Sequence, residues 1–244
     1  MNQPLLPKNV KRIGKEETFC FSCHPAIPCF TECCRQLELA LTPYDVLRLK
    51  KACGLRSEEF LDRYVIREQE EYETFPRFYL TMIDDGRESC VFVSKAGCTV
   101  YQDRPGACRA YPMGRAAIRQ PDGSMEEFFV ILQETHCRGF QEQQAQNAGS
   151  YSTEQGLSAY NRFNDAVAAI LQHDQIRQRK QLSAGQIEQF VLALYDLDRF
   201  RTTMFAGTLP KTTPLDSATQ ERLLDDEELL LFAIDWLKQI LFTN

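Results

Sequence analysis

No cysteine follows Cys137 in this chain of 244 residues, so whatever its thiols do is confined to the first part. No apolar run reaches bilayer length. The best candidate, LLLFAIDWLKQILF, is interrupted by Asp235 and Lys238, which excludes it as a spanning helix. The opening MNQPLLPKNVKRIGKEETF has no signal-peptide core, and prolines break up its leucine pair. A basic surplus is also missing. Lys and Arg number 28 against 34 Asp and Glu, the formal net charge is −6 and the pI is about 5.3. That balance argues against a nucleic-acid binder. Neither Gly-x-Gly-x-x-Gly nor Gly-x4-Gly-Lys-Ser/Thr occurs, so no glycine-rich turn offers a nucleotide or methyl-donor cradle. Internal repeats and low-complexity tracts are absent. Ten cysteines in 244 residues is too few for a disulfide scaffold. Together these absences predict a cytoplasmic protein with neither nucleic-acid nor membrane partners, whose thiols stay reduced.

What is present is an ordinary globular composition, 43% apolar and 25% charged, long enough to bury a core without staples. Against that background the cysteines cluster. Residues 20–34, CFSCHPAIPCFTECC, hold Cys20, Cys23, Cys29, Cys33 and Cys34; the rest are Cys53, Cys90, Cys98, Cys108 and Cys137. Reduced, clustered thiols read as metal ligands or redox groups. Thiolate is the soft donor preferred by zinc, copper(I) and iron–sulfur clusters. The spacing is neither the paired C-x2-C knuckles of a zinc ribbon nor a ferredoxin run. Cys33 and Cys34 are adjacent. In extended backbone their side chains point opposite ways, which predicts two metals or one polynuclear centre. Three cysteines precede arginines, Arg35, Arg109 and Arg138, and Arg104 lies near Cys108. Guanidinium groups there would offset thiolate charge; the alternative is surface ion pairing.

Local signals outline the elements. Residues 1–19 read as a flexible arm, and 20–36, with Pro25 and Pro28, as an irregular loop. In LTPYDVLRLKKACG, Thr42 is an N-cap, Pro43 the first helical residue, Asp45 a first-turn acid and Gly54 the stop. Ser57 is expected to cap a second helix, EEFLDRYVIREQ. FYLTMI, CVFVS and CTVY are short strands. DRPGACRAYPMG has room for one or two helical turns. RAAIRQ and MEEFFVILQ flank Pro121-Asp122-Gly123-Ser124, a hairpin. Beyond residue 150, AYNRFNDAVAAILQ, QIEQFVLALYDLDRF and DEELLLFAIDWLKQILF have helical periodicity. Phe190, Tyr195 and Phe200 belong to a core, and Asp225, Asp226, Glu227 and Glu228 suit a helix start.

The string F-x-C-H-P…C-F-x-x-C-C-R, then L-T-P-Y-D-V-x-R-L, then C-x-F…G-C-x-V-Y-x-x-R-P-x-x-C-R-x-Y-P and a last cysteine, resembles the YkgJ-type cysteine-cluster family, described as zinc- or iron-chelating. The likeness covers roughly residues 20–140. It implies eight metal ligands: Cys23, Cys29, Cys33, Cys34, Cys90, Cys98, Cys108 and Cys137. Cys53 falls outside as a small buried hydrophobe, and Cys20 is an extra candidate. The usual C-x2-C-x2-C-C form is stretched here by HPAIPCFTE. Flagellin lysine methylases contain a related cysteine domain, so the resemblance permits a protein-modifying enzyme.

His24 and His136 adjoin cysteines. They are either ligands of a mixed site or solvent-facing loop residues. His173 reads as exposed on a helix. Tyr44, Asp45, Tyr101 and Tyr111 either line a site or serve capping and packing. The resulting expectation is an α+β protein with three parts. These are an arm at 1–19, a small irregular β-containing cysteine-rich metal unit at 20–140 wrapped by helices, and a helical subdomain at 151–244. Iron, held as an iron–sulfur cluster, is expected first and zinc as the alternative. The function is metal holding. A metal-dependent modifying enzyme and a zinc-stabilised module that binds a protein partner are the other classes.

Overall fold

The computed structural model describes residues 6–243; the first five residues of the expected arm lie outside the described residues. In chain order the elements begin with β1 (Val10–Ile13), β2 (Phe19–Cys20), α1 (Pro43–Ala52), α2 (Ser57–Tyr64), β3 (Val65–Glu68) and β4 (Arg77–Leu80). There follow β5 (Met82–Ile83), β6 (Ser89–Cys90), β7 (Val93–Ser94), β8 (Gly97–Cys98), α3 (Gly106–Ala110), β9 (Met113–Arg119), β10 (Met125–Leu132) and β11 (Ala145–Gln146). The rest is helical: α4 (Ala148–Glu154), α5 (Leu157–Leu171), α6 (Asp174–Arg177), α7 (Ala184–Leu194), α8 (Leu197–Phe205), α9 (Ser217–Arg222) and α10 (Asp226–Phe242). The class is mixed α+β, with small antiparallel sheets in the N-terminal half and helices after them. Two compact units divide the chain. Unit 1 comprises residues 6–38 and 82–161, and unit 2 comprises Leu39–Thr81 and 162–243. The segment carrying α1 and α2 therefore groups with the C-terminal helices.

In unit 1 the expected hairpin forms β9 and β10, registered Met125↔Arg119 through Ile131↔Met113. Gly123 turns it at φ 87°, a left-handed value that disfavours a side chain. β1 adds on the other side of β10, pairing Val10↔Leu132 and Ile13↔Phe129. Part of the segment expected to be a loose arm is thus a strand. It satisfies the outer backbone groups of β10, which would otherwise be an open edge. Alternation puts Phe129 and Ile131 inward. They pack with Ile13, Phe21, Met113, Ala148, Tyr151 and Leu157 in one cluster.

Unit 2 begins as its sequence directs. Thr42 caps α1 in a reciprocal box with Asp45, and Gly54 leaves it at φ 64°. The second helix departs from expectation at both ends. Arg56 occupies the cap position, while the Ser57 N–H and hydroxyl donate to Asp198 Oδ2 at 2.7 and 2.9 Å. The helix ends at Tyr64, because β-branched Val65 and Ile66 pair with Leu80 and Tyr79 of β4. QIEQFVLALYDLDRF is also interrupted. Tyr195, stacked on Phe78 with 3.7 Å between centroids, closes α7, and Asp196 at φ −105° and ψ 59° starts α8 afresh. Asp225 caps α10 by accepting from the N–H groups of Glu227 and Glu228. His173 is not a free surface residue. It caps α6 and stacks on Phe242 with 3.6 Å between centroids. Phe190, Tyr195 and Phe200 are core, as expected. Tyr44 stacks on Phe163 and donates to Glu227 at 2.6 Å, so it and Asp45 serve packing and capping. Lys50, 4% exposed, is held by Asp198 at 2.9 Å and Asp226 at 3.3 Å. Among the described residues, no helix is long and apolar enough to cross a membrane.

Candidate metal centre

Cys20, Cys23, Cys29, Cys33, Cys34, Cys90, Cys98, Cys108 and Cys137 all belong to unit 1; Cys53 belongs to unit 2. No disulfide joins any of them. Cys53 is half-buried at the end of α1 rather than fully enclosed.

Cys23 is brought to Cys137 by a strap of backbone bonds. β2 pairs with β11, Cys20 opposite Ala145. The Phe21 N–H donates to the Gln144 carbonyl at 3.2 Å and the Ser22 N–H to the Gly139 carbonyl at 3.1 Å. Gln146 Nε2 donates to the Phe21 carbonyl at 2.8 Å. The buried Phe21 ring sits edge-on to Tyr111, Phe140 and Tyr151. Gly139 is required here. A Cβ at that position would fall 2.5 Å from the Phe21 ring and 2.8 Å from the Ser22 carbonyl oxygen.

From His24 the chain folds through consecutive turns, with Ile27 bonded to His24, Phe30 to Ile27, Glu32 to Cys29 and Cys34 to Thr31. Cys33 and Cys34 lie in a 3₁₀ turn, Glu32–Cys34, entered by Thr31 at φ 68°. They are not extended, and the Cys33 thiol feels that of Cys34. The extended backbone from which adjacency predicted two metals or one polynuclear centre is therefore not what this pair adopts. The same loop carries Cys29, whose Sγ accepts from the Arg138 N–H at 3.1 Å and whose thiol is felt by that of Cys137.

Cys90 and Cys98 come from short hairpins. β5 and β6 set Cys90 opposite Met82, and β7 and β8 set Cys98 opposite Val93. An Arg35↔Ser89 bridge and a bond from the Gln36 N–H to the Glu88 carbonyl at 3.0 Å tie the Cys34 turn to Cys90. Gly97 allows the second close approach. Its φ is 115°, and the ring beside Cys29, Phe30, lies 3.1 Å from where a Cβ would stand. Cys108 is half-buried on the one-turn α3.

The electrostatics identify two thiol neighbourhoods that share one member. Cys23 feels Cys33, Cys29 and Cys137, while Cys90 feels Cys98 and Cys33. Burial, then repulsion from those three thiols, pushes Cys23 up to about 11. Cys33 is raised by the neighbouring Cys34 thiol and then by burial. Burial raises Cys90, Cys98 and Cys137, the last opposed by the neighbouring Tyr111 hydroxyl. Tyr111 also donates to Glu134 Oε2 at 2.8 Å. Such thiols keep their protons until a cation replaces them, so metal binding here would release protons.

The arginines divide. Arg35 donates to the Thr31 carbonyl at 2.5 Å and pairs with Glu32 at 3.4 Å. Arg109 clamps the carbonyls of Gln102, Arg104 and Gln155. Arg138 donates its backbone N–H to the Cys29 sulfur. Arg104 is buried, and its charge opposes the rise at both Cys23 and Cys98. His24 and His136 face solvent, 3.6 Å from Glu142 and 3.5 Å from Glu134. Tyr101 is 52% exposed with Arg104 over its ring. Gly139 and Gln155 escaped the sequence reading. The only signal for Gly139 is its place two residues after Cys137, and Gln155 had none.

The donor set suits a soft cation, since four sulfurs share one neighbourhood. Among the described residues, no three His, Cys, Asp or Glu side chains are disposed as a ready metal-holding group. The sulfurs are neighbours, not a closed shell. Bound zinc would supply a closed structural tetrahedron there, whereas iron would add one-electron redox chemistry.

No curated protein and no solved structure matches the chain. Residues 22–138, which begin one residue before Cys23 and end one after Cys137, match the model of the CxxCxxCC family, whose description reads "Putative zinc- or iron-chelating domain".

Proposed function

We propose that unit 1 holds zinc or iron through thiolates. Cys23, Cys29, Cys33 and Cys137 form the principal set, and Cys34, Cys90, Cys98 and Cys108 complete the eight. The observation that carries this reading is convergence. Four sulfurs drawn from a loop near residue 30 and from residue 137 share one electrostatic neighbourhood without a disulfide. The turns around them consist largely of short loop bonds, which can tighten when a cation replaces the thiol protons.

A second reading, a polynuclear centre such as an iron–sulfur cluster, is favoured by Cys33. It faces both neighbourhoods and is the natural bridging thiolate. Anaerobic purification with metal analysis, sulfide assay and a visible spectrum tests both. Colourless protein with one zinc, or a single iron without acid-labile sulfide, supports the first reading. Brown protein with iron and labile sulfide supports the second. Protein that binds neither metal under reducing conditions overturns both.

A further inference from the structure

We propose that the three-stranded sheet of unit 1 docks a second copy of this chain, on the face turned away from its apolar cluster. Register sorts the side chains. Ile13, Met113, Phe129 and Ile131 point into the cluster. By alternation the opposite face carries Val10, Ala116, Ile118, Phe128, Val130 and Leu132, with Arg12 and Glu126 among them. An antiparallel sheet with one wet face alternates apolar with polar residues. β10 does not. From Phe128 to Leu132 it is apolar on both sides, the pattern of a strand that is covered on both. Among the described residues, Val10, Phe128, Val130 and Leu132 take no part in the cluster beneath the sheet. Ile118 is 44% exposed, and Ala116 is exposed too. Gly114 keeps this face flush, since a Cβ there would fall 2.9 Å from Val130 Cγ2.

Charge selects the occupant. Among the described residues, Arg12 meets no carboxylate; its guanidinium lies 4.3 Å from the centre of the Phe128 ring. Glu126 meets no cation among them, and its Oε2 accepts from the neutral Gln120 amide at 2.8 Å. Arg12 stands opposite Val130, so along β10 Phe128 lies midway between the two charges. A two-fold axis lying in the face and crossing it at Phe128 brings each Arg12 to the partner's Glu126. It also sets the two Phe128 rings against each other, giving two ion pairs around an aromatic centre. A partner of other chemistry would have to offer an acid and a base at the same spacing, which a second copy does by symmetry. Pairing through the β1 edge is disfavoured. Lys11 and Arg12 of β1 and Lys15 beyond it would set cation against cation.

The test is the mass of the reduced full chain, 28.1 kDa as a single copy, measured by sedimentation over a concentration series. Wild type should rise to twice that mass. Ala116→Glu adds a carboxylate opposite Phe128 at an exposed position, so the fold should survive and association should be lost. Arg12→Glu and Glu126→Arg each create two like-charge pairs in the two-fold arrangement. Each should raise the dissociation constant roughly tenfold or more. The double variant exchanges the charges and should return to within about threefold of wild type.

Wild type that keeps the single-chain mass at every concentration overturns the proposal and leaves the face to a different occupant. A pair that forms equally well in Ala116→Glu overturns it too, because another surface is then in use. So does a double variant no tighter than either single one, which removes the Arg12–Glu126 contact and the case for a second copy with it. If Ala116→Glu does not fold, the charge-exchange set decides alone. The metal reading is untouched by any of these results.

Discussion

The two units solve the problem of staying folded by different means. Among the described residues, the largest fully buried side chains all lie in unit 2: Tyr44, Phe60, Phe163, Phe190, Phe200, Leu49, Ile170, Leu194, Leu197, Leu223, Leu229 and Leu230. Its helices are capped, and its one deeply buried lysine has two carboxylate partners. Unit 1 has a smaller apolar cluster under a three-stranded sheet, two-residue strands and, among the described residues, a buried arginine with no carboxylate partner. Unit 2 closes with apolar area and paired charge. Unit 1 leaves thiols and short turns that a bound metal would complete.

The largest expected effect comes from breaking unit 1 alone. Cys33→Ser removes the sulfur that both neighbourhoods share, and it should abolish bound metal and the order of the loops around residues 23–34. The chain's one tryptophan, Trp236, lies in unit 2 with its indole N–H on the Pro210 carbonyl, so its fluorescence reports on that unit. Its unfolding midpoint should hold in Cys33→Ser while metal content falls to background. Full metal retention would remove Cys33 from the ligand set.

Next in size is the converse experiment, on charge in unit 2. Burial alone would raise the Asp198 carboxyl, but the bonds and charge of Lys50 and the donors of Ser57 outweigh it and hold it below the usual carboxylate range. A depressed folded value means stability that is present above the unfolded value, about 3.9, and lost as pH falls through the folded one. Asp198→Asn should therefore flatten the acid limb of the Trp236 transition. It should also cost about 3–5 kcal/mol near neutrality by stranding the Lys50 charge. Metal affinity should not change. A variant as stable as wild type at pH 7 would mean that Asp226 alone suffices for Lys50.

What the sequence made legible was local. Thr42-Pro43 with Asp45, the Asp122-Gly123 turn, the single turn between Pro105 and Pro112, and Asp225 ahead of α10 each carry their own geometry within a few residues. Helical periodicity continued past Tyr64 and through Tyr195, yet tertiary partners cut both: β4 draws Val65 and Ile66 into a strand, and Phe78 holds Tyr195. Clustering and resemblance named the cysteines as candidate ligands. Their grouping was not legible, because Thr31 takes a left-handed backbone that a β-branched residue rarely adopts, and this turns Cys33 and Cys34 together. No pattern in the chain could have told which of four arginines would be buried without a carboxylate.

A smaller perturbation tests the strap that presents Cys23. Gly139→Ala sets a methyl against the Phe21 ring and the Ser22 carbonyl oxygen, one of them backbone and unable to swing aside. Overpacking of this kind costs about 1–3 kcal/mol. The cost should appear as weaker metal binding and a lower unfolding midpoint for unit 1, with the Trp236 transition unmoved. Unaltered zinc affinity would show that Cys23 reaches its partners without the Phe21–Gly139 contact.

The smallest effect should come from the one cysteine that lies in the other unit. Cys53 ends α1, its N–H bonded to the Leu49 carbonyl at 3.0 Å, and burial raises its thiol. Its side chain is only half-buried, so exchanging sulfur for a hydroxyl creates neither a large cavity nor a stranded polar group. Cys53→Ser should retain full metal content and change the stability read from the Trp236 transition by no more than about 0.5 kcal/mol. Every other cysteine sits in unit 1, so this substitution separates thiol number from thiol position. If metal is lost on Cys53→Ser, the boundary between a metal-completed unit and a self-sufficient one does not follow the cysteines at all.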